Sequence, residues 1–116
     1  VQPQHTIDNL LQILDSGQDS ALIRFGLANA YLANQDPRQA IAHLNEAIRL
    51  DETYSAAWKL LGKAQQALGQ NREARTTFER GIEVARQHGD MQAAREMEVF
   101  KQRLEKSASQ DSSPAG

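Results

Sequence analysis

The sequence predicts an all-α protein of about six helices, built from antiparallel helix hairpins that repeat along the chain. Three observations carry that expectation. On a shift of 34 residues Leu27 falls on Leu61, Ala30 on Ala64, Ala33 on Ala67, Arg38 on Arg72, Ala40 on Ala74 and Ile48 on Ile82. The coinciding positions are mostly small or apolar while those between them differ freely, as a repeated packing scheme with a non-repeated surface requires. Apolar residues recur at helical spacing, and Gly17, Asp36-Pro37, Gly69 and Gly89-Asp90 supply stop and start signals between them.

The elements follow in order. Ile7, Leu10, Leu11 and Leu14 form one apolar stripe, so a first helix covers roughly residues 4 to 16 and Gly17 ends it in the left-handed conformation. Gly26 lies inside the next helix at a cost of about 1 kcal/mol relative to alanine, which a close approach by the first helix explains. Asp19 or Ser20 caps that second helix, which runs to about Asn34; Asp36 caps the third, and Pro37 suits its first turn. The third helix extends to about Leu50 and turns Ala40, Ile41, Leu44, Ala47 and Ile48 inward. Thr53 or Asp51 caps the helix that carries Trp58, Gly69 stops it, and Asn71 caps its partner, which reads Ala74, Phe78, Gly81, Ile82 and Ala85. A last helix from Asp90 to about Lys106 aligns Ala93, Met97, Phe100 and Leu104 and bears Glu96, Lys101, Arg103 and Glu105 outside. It covers the end of a stack that would otherwise expose an apolar face.

The period and its residue types resemble the tetratricopeptide repeat (TPR), a helix-turn-helix unit. Trp58, Leu61, Gly62, Gly69, Ala74, Phe78 and Gly81 stand at that family's places in one unit, and Leu27, Ala28, Tyr31, Ala40, Leu44 and Ala47 in the other. Arg24 departs from the family's aromatic, Gln65 from its tyrosine, and Glu52 and Arg86 from its closing proline. The division expected is a covering helix over 1–20, units over 21–54 and 55–88, a capping helix over 89–106 and a disordered Ser-rich tail over 107–116. Together they make one domain.

Composition narrows the function. Thirteen basic residues face fifteen acidic ones for a net charge of −2, without the basic face that nucleic acid demands. There is no cysteine, so thiol chemistry and thiolate metal sites are excluded. His5, His43 and His88 lie on separate segments and begin no ligand pattern. His43 and Glu46, three apart, read as a surface ion pair before they read as an acid/base pair. No apolar run approaches a membrane span of roughly 18 residues, and Val1 to His5 has no basic-then-apolar leader, so a cytoplasmic protein without membrane, metal or cofactor is the expectation. No nucleophile has an evident base, and the chain is read as no enzyme.

The resemblance implies a concave groove lined by the first helix of each unit. Its matching positions are Leu22, Phe25, Asn29 and Leu32, then Ala56, Lys59, Lys63 and Gln66. Lys59 and Lys63, four apart, share a helical face, and beside Phe25 and Leu32 they suit a peptide or helix with an acidic group and an apolar anchor. Two plainer readings stand beside this: the lysines as a solvated face, and Phe25 as core against the first helix. Trp58 falls on the packing side of its helix, so core is the better reading than binding surface. Some family members clamp the terminal carboxylates of chaperone tails, but the corresponding residues here are Phe25, Asn29, Leu60, Asp90 and Ala94, and only Asn29 agrees. The function implied is a non-catalytic adaptor for a protein or peptide partner, working as a monomer or weak homo-oligomer. The alternatives are a self-associating structural protein and an accessory subunit of an enzyme complex.

Overall fold

The computed structural model describes residues 2–111, all of whose regular structure is helical. The helices are α1 (Pro3–Asp15), α2 (Ala21–Ala33), α3 (Pro37–Leu50), α4 (Ser55–Ala67), α5 (Asn71–Gln87) and α6 (Met91–Asp111). Each packs on the next in sequence, and α4 also touches α6. The radius of gyration is 15.4 Å, above the roughly 13 Å of a compact chain this long, as stacking along one axis requires.

Local chemistry sets most helix ends. The Ser20 hydroxyl accepts from the Ile23 N–H at 3.1 Å, Asp36 from Gln39 at 3.3 Å and Asp90 from Ala93 at 3.2 Å. Gly69 takes φ +76° just past α4; the same place after α2 is held by Gln35 at φ +59°, a left-handed conformation that a side chain disfavours. Two expected caps are absent. Asp51 accepts instead from the N–H and hydroxyl of Thr53 at 3.0 and 2.6 Å, so it braces the preceding turn and α4 begins after Tyr54 with no side-chain cap. Asn71 is the first residue of α5 rather than its cap, and Gln70 before it makes no capping bond. The last helix also runs past Lys106 to Asp111, because no Gly or Pro interrupts the chain before Pro114. Ser107 to Asp111 are thus helical rather than tail, and the expectation for 112–116 lies outside the described residues.

Three apolar clusters follow one another along the stack. Ile7, Leu27 and Ala30 join α1 to α2; Ala28, Ala40, Leu44, Ala47, Ala57, Leu61 and Ala64 join α2, α3 and α4. Ala74, Phe78, Ile82, Ala85, Ala93, Ala94, Met97 and Leu104 join α5 to α6, with half-buried Trp58 and Phe100 packed on them. Glycine and alanine at the crossings let backbones approach. A Cβ on Gly26 would lie 3.2 Å from Leu10 Cδ1, which accounts for that mid-helix glycine. On Gly62 it would lie 2.6 Å from Phe78 Cζ, and on Gly81 2.8 Å from Trp58 Cβ. In the other unit Ala28 replaces Gly62 and Leu44 replaces Phe78, and all four residues are buried. A smaller side chain on the second helix leaves room for the methyl on the first.

Candidate functional site

The helices α2, α4 and α6 form a row: α2 and α4 are joined through one apolar cluster with α3, and α4 is in contact with α6. The Phe25 ring on α2 stacks on Tyr54 at the head of α4, centroids 5.1 Å apart, and joins the cluster between those helices. Phe25 is therefore half-buried mortar between the two units, and its partner is Tyr54 rather than the first helix. Leu32 packs on the same cluster. Leu22 is 70% exposed and Asn29 is exposed, so these two are what α2 offers to a partner.

The α4 residues face α6. Ala56 and Lys59 border a depression shared with Asp90, Gln92, Ala93 and Glu96, while Lys63 and Gln66 border another with Ala67, Phe100 and Arg103. The two lysines thus share a helical face, as their spacing predicts, but their partners differ. The Lys59 ammonium donates to Glu96 at 2.6 Å, and Gln92 donates to the other carboxylate oxygen at 3.2 Å. The Lys59 hydrogen bond, then that from Gln92, holds the Glu96 carboxyl below its usual range. Beside this pair the Ser55 hydroxyl donates to Asp90 at 2.5 Å, also lowering that carboxyl. Lys63 instead sits over the Phe100 ring, 5.5 Å from its centroid. Glu96, Phe100 and Arg103 complete this side; their sequence pattern puts Glu96 and Arg103 on the exterior of a covering helix and Phe100 in its core, with no tie to α4. The available signal was the spacing of Glu96, Phe100 and Arg103 along one face of α6.

A second polar cluster lies between α2 and α3. Arg24 grips Asp19 with two nitrogens, each at 2.9 Å, and its third nitrogen donates to His43 Nδ1 at 3.1 Å. The His43 ring stacks on Tyr31 with centroids 5.5 Å apart, while Glu46 pairs with Arg49 at 2.7 Å. The expected His43–Glu46 pair is therefore replaced by Arg24–His43, because the two helices cross there. Burial first, then the Arg24 charge, holds His43 below the ordinary histidine range against the opposing pull of Asp19 and Glu46. The unfolded chain binds the proton more readily, so stability is lost as pH falls through the unfolded value of about 6.5 toward the folded one. Urea titrations at about pH 7 and about pH 5 should give a larger loss for the parent than for His43→Asn, whose amide oxygen can accept from Arg24 but does not titrate. Equal losses would remove His43 as the cause.

Among the described residues no group of three or more His, Cys, Asp or Glu is placed to hold a metal ion, and no helix is long and apolar enough to cross a membrane. The family model for the tetratricopeptide repeat matches residues 31–97, more than half of the chain. The chain is 46% identical over 100 residues to a TPR repeat-containing protein of Pseudomonas aeruginosa, covering 86% of this chain and 95% of that one. It is similar in structure to a protein of Bordetella parapertussis solved in solution, with TM-score 0.78, 38% identity and coverage of 87% and 88% of the two chains. It is also similar to the Sgt2 TPR domain of Aspergillus fumigatus, with TM-score 0.76, 27% identity and coverage of 95% and 73%. Proteins of this repeat are in general non-enzymatic and act by binding other proteins. The 34-residue frame, the six helices and these matches agree, and the chain belongs to the tetratricopeptide repeat family.

Proposed function

We propose that the chain is a non-catalytic interaction module that holds a peptide or helix of a partner protein along the side formed by α2, α4 and α6. The observation that carries this reading is Leu22, a leucine 70% exposed on α2 of that row. Together with exposed Asn29 farther along α2 and exposed Lys63 and Gln66 on α4, it gives the row both apolar and polar groups for a peptide. Leu22 supplies the apolar anchor and the α4 residues the polar contacts. Phe25, Leu32 and Lys59 support the groove from inside, since each already has a partner within the chain.

Affinity capture from the native cell's lysate tests the reading, with the parent beside a Leu22→Ala, Asn29→Ala, Lys63→Glu variant. All three side chains are exposed, so circular dichroism should show an unchanged fold. The expected result is a protein retained by the parent and lost by the variant. Retention of the same proteins by both would place the binding surface elsewhere.

A further inference from the structure

We propose that the cavity between α4 and α6 receives an acidic side chain of the partner peptide, held by Lys63 and Arg103, which border it together with the Phe100 ring. The inference rests on the reading that this side of the stack binds a peptide, and it names the chemistry of one subsite. The cavity has a volume of about 310 Å³ and is bordered by Lys63, Gln66, Ala67, Phe100 and Arg103. Two of those five side chains are cations and none is an anion.

The charge pattern around the cavity selects this place. Lys59, Arg86 and Lys101, which border other depressions on α4, α5 and α6, each have a carboxylate partner in Glu96, Glu98 and Glu105. Lys63 and Arg103 have none among the described residues. The ring of Phe100 attracts the Lys63 ammonium through its electron-rich face but offers no lone pair, so the amine is positioned while its hydrogen-bond donors remain available. Arg103 adds a planar fork suited to a carboxylate, and Gln66 an amide that can donate to it. The ring and Ala67 give an apolar wall for the methylenes of a glutamate. The neighbouring depression lacks this character, because Glu96 neutralises Lys59 and Asp90 adds a further negative charge.

A side-chain carboxylate rather than a chain terminus is the fitting occupant. The chaperone-tail clamp needs amide and cation partners where this chain has Leu60, Asp90 and Ala94. A terminal carboxylate at those clamp positions would meet Asp90, which borders the neighbouring depression and not this cavity, so the cations here are left to a side chain along the peptide.

The test uses the full chain and capped peptide mixtures, acetylated and amidated, in which one position is fixed as Leu and each neighbouring position in turn as Glu, Gln or Lys. Fluorescence anisotropy should show Glu favoured over Gln by about tenfold at one spacing from the Leu, the order of one charge-assisted hydrogen bond. That preference should fade as salt is raised and vanish in Lys63→Gln, Arg103→Gln. Both side chains are exposed, so the variant keeps its fold, and it should bind the Glu and Gln mixtures alike. Equal binding of Glu and Gln mixtures that is weakened by Leu22→Ala would overturn the carboxylate subsite and leave the groove. A Glu preference that survives in the double variant, or binding only of peptides with a free C-terminus, would overturn the subsite too. Mixtures that bind no better than a scrambled control would count against the subsite and the groove together.

Discussion

Phe78→Ala is expected to cost about 3–5 kcal/mol, the range for truncating a buried aromatic ring. Phe78 is fully buried, the largest such side chain described, and it touches both the neighbouring hairpin helix through Gly62 and the cluster that seats α6. Domains hold a total of only about 5–15 kcal/mol, so the variant should be partly unfolded near physiological temperature. Urea titration followed by circular dichroism measures it. A loss below about 1 kcal/mol would mean that the site collapses freely and that the ring is no keystone.

Gly62→Ala is expected to destabilise as well, although alanine is the better helix former by about 1 kcal/mol. The added methyl would stand 2.6 Å from Phe78 Cζ and 2.7 Å from Cδ1, so a buried ring must move, and overpacking of this kind costs roughly 1–3 kcal/mol. The first hairpin shows the remedy. There the corresponding pair is Ala28 with Leu44, both fully buried. Phe78→Leu introduced together with Gly62→Ala should therefore recover much of the loss, and a double-mutant cycle should report a favourable coupling above about 0.5 kcal/mol. Purely additive losses would show that the two repeats do not share one packing rule.

Much of this architecture is legible in the sequence because it depends on local chemistry and on a period. Gly17, Gly69 and Gly89 adopt the left-handed conformations that their places demand, and Asp36-Pro37 opens α3 as its pairing predicts. The caps of α4 and α5 were harder to read. Asp51 and Asn71 are plausible caps by residue type, yet Asp51 is taken by Thr53, and α5 starts at Asn71 itself. Choices of one residue between competing hydrogen bonds leave no trace in composition or spacing.

The candidate site was legible along α4 and opaque across to α6. The four-residue spacing of Lys59 and Lys63 says that they share a face, but not which of them another helix will neutralise. α6 lacks the repeat's Leu-Gly pair, having Arg95 and Glu96 there, so the period could not register it against α4. Glu96 consequently read as an outer charge, whereas it bonds Lys59, and Phe100 read only as core, whereas it also lies beneath Lys63. Phe25 shows the converse. Its position promised a groove aromatic, whereas its ring stacks on Tyr54, which lies outside both helices of its unit, and packs on the cluster between α2 and α4.

The most direct test of the central claim is photo-cross-linking in the native cell, with a benzophenone amino acid placed at Leu22 in one chain and at Glu79 in another. Both positions are exposed, the first on α2 and the second on α5 outside the row of α2, α4 and α6. The account predicts an adduct of defined mass from position 22 and none of that mass from position 79. The same adduct from position 79, with none from position 22, would contradict it and move the binding surface to the opposite side of the stack.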